Sequence, residues 1–589
     1  MNMKHRNMIF SLAALAVLSL QAGAAPAEFF VAPHGADAGP GSKAGPFATL
    51  ARAQQAVRAE LVRDRGRDVT VWIDAGNYEL EKPLAFGPED APTGAARVTY
   101  SASGGKLVVI SGGQRLSGWT ASADGPWTMD VPGVKEGKWY PRQLFISGAR
   151  RTRARTPNVG ELRGLKSDDA LRVQFPPETL RAWTHPGDVE LVTLVEWTPS
   201  RVRLGVLDLE KGTVTFETKI FQFFDKEWGQ GIRKNMRNFP FYLENAPEML
   251  DAPGEWYLDR PTGRLTYLPM PGERVEQVET VMPRLEQLLV VRGTGERQVR
   301  NLHFHGITFA HTDWALPKHG FLPDQAGFFD TENAKKEMPV PAATVDFQYS
   351  TNCALEDCVV RDVGGHAIRY REGCVSNTVA GCRIEGVGGN GVSMGLFDRA
   401  AAERDVVRGN IIRDCTIRRC GLDYAGCVGV WAGIARGITV AQNEVSEIPH
   451  NGISVGWRWD RVPVGCGGHV VEGNDIHHVV ERLTDAGGIY VLGDQPGSVI
   501  RRNHIHDITR RNGIAAANGI FFDNGSRGWR VEDNVIYGVS DGAIRHNDNR
   551  HEDQSWGTNT LDVRPGDAAF PEALTRQAGP RGKGTPKTP

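Results

Sequence analysis

Residues 500–537 read IRRNHIHDITRRNGIAAANGIFFDNGSRGWRVEDNVIY. The stretch begins and ends on one pattern, apolar-x-x-Asn-x-apolar, with Asn503 and Asn534 in the fourth place. Between them, NGIFF supplies a small residue, Gly519, followed by apolar residues. Outward from this pair the pattern recurs upstream as LEDCVV, VAGCRI, IRDCTI, VAQNEV and VEGNDI, with Cys358, Cys382, Cys415, Asn443 and Asn474 in the fourth place. Each is followed by its own small residue: Ala367, Gly391, Gly429, Gly452 and Gly488, and after Asn534, Ala543. The gap from Cys/Asn to the small residue is 9 in four units and 14 or 16 in the other three. With the insertions set aside, a unit needs 24 residues and contains no amphipathic helix. At ~3.3 Å per residue such a unit closes as three short strands and three turns, and units stack ~4.8 Å apart. The fold class is therefore all-β, a right-handed parallel β-helix.

In such a stack equivalent residues form ladders. Asn at a turn hydrogen-bonds the backbone of its own coil and of its neighbours, and Cys fills the same small internal site as a weak hydrophobe. This accounts for cysteines that match no zinc spacing: all eight lie between 353 and 466. They are expected as buried thiols, with a Cys420–Cys427 loop disulfide as the alternative. The array starts early. Residues 28–113 hold FFVAPHG, a helix capped by Thr49, and the strands VTVWI, VTYSA and LVVIS, so the helix can close the open first coil. Residues 114–285 break the period and contain a hairpin, EWYLDRPTGRLTYLP, turning at Pro261–Gly263; an inserted antiparallel β domain is expected. The main β-helix spans 286–550, and 551–589, rich in Pro, Gly, Arg and Thr, is expected to be an irregular tail.

The formal net charge of -2, with no basic block, argues against a nucleic-acid partner. Lys4 and Arg6 precede an apolar run from Ile9 to Leu20, and small-x-small sites follow at 22–24 and 25–27. This predicts a secretory signal peptide, 1–24 or 1–27, and an exported protein, secreted or periplasmic, with no membrane association after cleavage. A monomer without cofactor or metal is expected.

In the strand after each small residue, outward positions fall two and four residues on. They read Arg369/Arg371, Ser393/Gly395, Trp431/Gly433, Ser454/Gly456, Tyr490/Leu492, Phe521/Asp523 and Arg545/Asn547. Aromatics, glycines and arginines suit a groove that stacks sugar rings, and the insertions border the same strand, one of them carrying Trp457 and Trp459. Trp431, Tyr490, Trp457, Trp459, Asp494 and Arg545 are the expected substrate-binding residues. His450 and His546 border the groove, whereas His504 and His506 fall on another side of the coil and are expected to be structural. Glycosidic cleavage needs two carboxyl groups. By straight-strand geometry, Asp494 and Asp523 lie on adjacent coils ~8 Å apart, while Asp485 and Asp523 would lie ~23 Å apart unless the Asp485 loop folds back.

The segments DAGGIYVLGDQPGSVIRRNHIHDI (485–508), NGIFFDNGSRGWRVEDNVIY (518–537), RQLFISGARRTRARTP (142–157) and APGEWYLDRPTGRLTYLP resemble glycoside hydrolase family 141, a group of parallel β-helix enzymes with α-L-fucosidase and xylanase activities. The resemblance implies an exported hydrolase of plant cell-wall or related polysaccharide, with Asp485 and Asp523 as catalytic acids. Two places depart from it. Asn524 stands where Glu is expected, and HNDNRHEDQSWGTN replaces the His-Tyr-Gly and a further Asn-ladder coil. The groove arginines leave a polysaccharide lyase as the alternative, and a non-catalytic glycan-binding solenoid as a third class.

Overall fold

The computed structural model describes residues 25–581, apart from 123–124, 168, 224–225, 227–229, 231–233, 235 and 330–338. The predicted leader therefore lies almost wholly outside the described residues. Among those residues no helix is long and apolar enough to cross a membrane.

The chain folds as a parallel β-helix with three faces. The first sheet has 12 strands, from Ala27–Val31 to Ser555–Trp556. The second has 11, from Gly76–Glu79 to Thr560–Leu561, and the third has 10, from Leu84–Phe86 to Ile544–His546. Inward residues of the third sheet run in one parallel register, Val345, Ile368, Val392, Val430, Ile453, Ile489 and Ile520, all fully buried. Each such side chain contributes about 1.5–3 kcal/mol by leaving water.

The Cys/Asn pattern occupies the corner between the first and second sheets. The residue before it is left-handed in all seven coils, from Asp357 at φ 52° to Gly381 at φ 63°. That turn aims the next side chain back along the axis. Asn503 Nδ2 donates to Val471 O at 3.0 Å and to Asn534 Oδ1 at 2.9 Å, while its own Oδ1 accepts from Asn474 N at 3.0 Å. Cys382 keeps only the first link, its thiol donating to Leu355 O at 3.4 Å. All eight cysteines are buried free thiols, so no Cys420–Cys427 disulfide forms. The second corner needs small residues because a Cβ on Gly429 would lie 2.7 Å from Gly452 O, and one on Gly452 2.7 Å from Gly488 O.

The ladder does not stop at Asn534. Asn559 Oδ1 accepts from Asn534 N at 3.1 Å, and Asn559 Nδ2 donates to Val531 O at 3.1 Å. The expected irregular tail from 551 thus begins with one more coil, whose two short strands end at Leu561. Its turn, Trp556-Gly557-Thr558-Asn559-Thr560-Leu561, keeps the apolar-x-x-Asn-x-apolar pattern 25 residues after Asn534, so the sequence carried this eighth unit and the expectation of an irregular tail overlooked it. At the other end, Thr49 accepts from Arg52 N and caps the helix Leu50–Arg63, whose Leu50, Ala53, Val57 and Leu61 close the first coil.

Between Gly113 and Pro283 the chain leaves the solenoid for sheets of eight, four and three strands, antiparallel as expected except that Ala149–Arg153 runs parallel to Glu255–Leu258 in the largest. The hairpin Glu255–Leu258 with Arg264–Tyr267 pairs Leu258 with Leu265 and turns through Gly263 at φ 77°, as the sequence predicts. A buried ionic cluster joins this domain to the β-helix. Arg142 grips Glu190 at 2.5 and 2.9 Å, Arg201 reaches Glu190 at 2.8 Å and Asp423 O at 3.1 Å, and Arg150 and Gln143 bind Asp423 Oδ2 at 2.8 and 3.0 Å. Opposite charges at such depth persist because each is paired and hydrogen-bonded.

Candidate active site

A cavity of about 590 Å³ lies over the third sheet where its last coils meet the inserted domain, and both Asp485 and Asp523 line it. They approach by different routes. Asp523 follows the strand Ala517–Phe522 and is 6% exposed. Asp485 precedes the strand Ala486–Val491, whose Ala486 pairs with Ala517, so the two acids stand at opposite ends of paired strands. The Asp485 backbone is left-handed at φ 55°.

The loop leading to Asp485 is held from above. Glu196, with φ 45°, sits at the tip of the hairpin Glu190–Val195 with Thr198–Arg203. Its backbone carbonyl accepts from Thr484 N at 2.8 Å. Its carboxylate accepts from Thr484 Oγ1 at 2.6 Å, Ile514 N at 3.0 Å and Ala515 N at 3.0 Å. The neighbouring Trp197 lines the cavity, with Phe223 and Lys226 of the same domain and Asp324 and Gln325 of a long loop. None of these five carried a local sequence signal, since they come from segments with no repeat to set them in register.

The two carboxyl groups have opposite surroundings. Burial pushes the Asp485 carboxyl up to about 6, aided by the negative charges of Asp523 and Glu196. It prevails over the Arg545 guanidinium, whose Nη1 donates to Asp485 Oδ1 at 2.7 Å and whose charge pulls the other way. Asp523 instead accepts at both oxygens, from Tyr490 Oη at Oδ2 and from Asn547 Nδ2 at Oδ1, the latter at 2.6 Å. Burial and the adjoining Asp523 carboxylate raise the Tyr490 hydroxyl well above its ordinary value, which keeps it a donor. The last strand thus reaches both acids, Arg545 touching one and Asn547 the other. Asn524 also lines the cavity, in the place where the family resemblance leads one to expect Glu.

The expected outward row exists in register, from Arg369 through Ser393, Trp431, Ser454, Tyr490 and Phe521 to Arg545. It is not an open groove. Trp431 is 0% exposed, with Phe328 against it at 4.5 Å between ring centroids and Trp457 at 5.4 Å. Trp431 and Trp457 therefore form an apolar plug with Phe397 and do not face the cavity, a correction to their expected substrate-binding role. Trp459, 37% exposed, does line it, as does the phenol-bearing Tyr490. Arg369 is half-buried, its guanidinium over the rings of Phe328 and Phe397. His450 is fully buried, and burial pushes it down to about 4; His546 stacks on Phe522. Asp494 corrects the straight-strand geometry. The chain turns at Gly493, φ 67°, so Asp494 opens a strand of the first sheet and binds Arg527 Nε at 2.7 Å, away from the cavity lining.

Residues 125–270 match the GH141 insertion domain. Over nearly its full length the chain is similar to a solved structure titled "Glycoside hydrolase", with TM-score 0.82 and 26% identity, covering 94% of this chain and 98% of that one. Insertion domain and whole-chain likeness together define a parallel β-helix protein of the glycoside hydrolase family 141 type. The complex of XylC with xylose (TM-score 0.49, 13% identity, 88% of this chain and 69% of that one) and a rhamnogalacturonan lyase (TM-score 0.43, 10% identity, 92% and 90%) are too distant to bear on function. No curated protein matches the chain.

Proposed function

We propose that this chain is an exported glycoside hydrolase in which Asp485 is the general acid and Asp523 the general base or nucleophile. The observation that carries the assignment is the pair of carboxyl groups in one cavity, one raised to about 6 by burial and the other accepting a hydrogen bond at each oxygen, from Tyr490 and Asn547. A protonated Asp485 can deliver its proton to the leaving glycosidic oxygen, while an acceptor-only Asp523 can take a proton from water or attack the anomeric carbon. Arg545 orients Asp485 and, once the proton has left, neutralises the carboxylate.

The limited size of the cavity, about 590 Å³, supports a terminal sugar of a plant cell-wall or related oligosaccharide over the interior of a polymer. Trp197 and Trp459 offer ring faces or edges for stacking, and Lys226, Asn524 and Gln325 offer polar contacts. Of the three arginines that kept a lyase open, Arg369 lies over aromatic rings, Arg371 stands 3.5 Å from Glu372, and Arg545 binds Asp485, which supports a role with that carboxyl group over proton abstraction. The test is release of sugar from a panel of oligosaccharides and polysaccharides by the purified mature protein. A monosaccharide released from chain ends, lost in Asp485→Asn and Asp523→Asn, supports the reading. Unsaturated products absorbing in the ultraviolet would overturn it.

A further inference from the structure

Away from the cavity, on the outward face of the second sheet, three side chains from two neighbouring coils converge. The strand Asp475–Val479 pairs in register with His504–Ile508, Asp475 opposite His504 and His477 opposite His506. His504 and His506 are two residues apart and so project to one face. Asp475 Oδ1 lies 2.9 Å from His504 Nδ1 and 3.2 Å from His506 Nε2. The three donor atoms all lie within 4.8 Å of one another. The side chains are 29%, 12% and 14% exposed, so the point between them is reachable from solvent.

The outer nitrogens are already engaged. His506 Nδ1 faces Asp507 Oδ2 at 2.8 Å, and His504 Nε2 faces Tyr537 Oη at 3.2 Å. With no ion present, His504 Nδ1–H and His506 Nε2–H can donate to Asp475 Oδ1; with the outer nitrogens donating to Asp507 and Tyr537 instead, the two inner lone pairs and the carboxylate oxygen converge as a ligand set. Carboxylate–imidazole pairs behind a metal set tautomer and ring orientation in this way. The rings are also fixed by stacking, His504 on His506 at 4.1 Å, His477 on His506 at 5.0 Å, and Tyr537 on His506 at 5.4 Å between centroids.

We propose that Asp475, His504 and His506 form a binding site for a divalent ion of the zinc class, with the remaining coordination position open to water. Two imidazole nitrogens and one carboxylate oxygen are a donor set that such an ion prefers over calcium or magnesium. In a tetrahedral site with bonds of about 2.0–2.2 Å, donors stand about 3.3 Å apart. The two carboxylate–imidazole spacings are close to that, and the two imidazole nitrogens have to draw together. The ion would tie the coil of Asp475 to that of His504, so its consequence is stability of the last coils, which carry Asp523 and Arg545. Sequence spacing could not reveal the set, because Asp475 and the histidines are adjacent only across coils.

Titration of untagged, chelator-stripped mature protein with Zn²⁺ in a calorimeter is expected to show one equivalent bound, and Co²⁺ to give a visible absorption band of low-coordinate geometry. Both signals should be lost in His504→Asn/His506→Asn, and the Asp475→Asn variant should bind at least tenfold more weakly. Zn²⁺ at a hundredfold over Kd should raise the Tm of the parent protein and not that of the double variant. Should the double variant unfold, Asp475→Asn alone decides. Absence of a saturable equivalent in the parent, or an equivalent retained in the folded variants, would overturn the proposal. Sugar release by the parent is measured separately, so failure here leaves the hydrolase reading untouched.

Discussion

Two corners of the same coil behave differently. At the corner of the first and second sheets the seven coils from Cys358 to Asn534 repeat one solution: a left-handed residue, then Asn or Cys turned inward onto the preceding coil. On the third sheet, the outward row repeats in register and in nothing else, since Ser393, Trp431, Tyr490 and Arg545 each meet a different neighbour. Periodicity marks the parts whose surroundings are another coil. Its loss marks the parts whose surroundings are an inserted domain, a loop or a ligand cavity.

The largest effects should separate these corners by chemistry. Asp485→Asn and Asp523→Asn are each expected to lower kcat by about 10²- to 10⁴-fold with unchanged circular dichroism. Asp494→Asn, on the other side of a turn and paired with Arg527, should stay within a few-fold of the parent. A dead Asp494→Asn beside an active Asp485→Asn would reverse the assignment.

The complementary change strikes the periodic corner. Asn503→Ala removes the side-chain partner of Val471 O and of Asn474 N and Nδ2, while Asn534 Oδ1 keeps the backbone N–H of residue 503. At about 1–3 kcal/mol per unpaired buried group, Tm should fall markedly while kcat per folded molecule holds. Asn503→Cys should cost less, because a thiol keeps the link to the preceding coil, as Cys382 does. Equal losses for the two would mean that the ladder's worth lies in its amide chain alone.

Between the corners stands the hairpin tip. Trp197→Ala should raise KM about tenfold through ~1–2 kcal/mol of lost aromatic contact, with a smaller change in kcat. Glu196→Gln keeps the shape of the tip but weakens its acceptance of Thr484 and Ala515, so it should lower kcat by loosening Asp485.

The smallest expected effect is a pH shift. With Asp485 raised to about 6 and acting as the acid, kcat/KM should fall as pH rises above about 6. Arg545 pulls that value down, so Arg545→Gln should move the alkaline limb upward. For stability the sign follows from the same shift. A carboxyl raised in the folded state contributes stability below its ordinary value near 3.8, and that contribution is lost as pH rises through about 6. Asp485→Asn should remove this part of the pH dependence of Tm.

The β-helix was legible in sequence because its coils are parallel and stacked. A residue 24–33 positions away recurs as a spatial neighbour, and a stack that repeats in space must repeat along the chain. The outward row, the helical cap at Thr49 and the hairpin at Gly263 followed from the same local rules. What covers that row did not. Whether Trp431 meets a sugar or Phe328 depends on the loop that carries Ala326 and Phe328, which lies outside the repeat. Straight-strand geometry chose Asp494 over Asp485 because it assumed that a strand runs on past Gly493 and that a loop stays extended. The turn at Gly493 and the grip of Glu196 on Thr484 reverse both assumptions. Local periodicity thus determined where the backbone goes, while contacts between segments distant in sequence decided which of its carboxyl groups share a cavity.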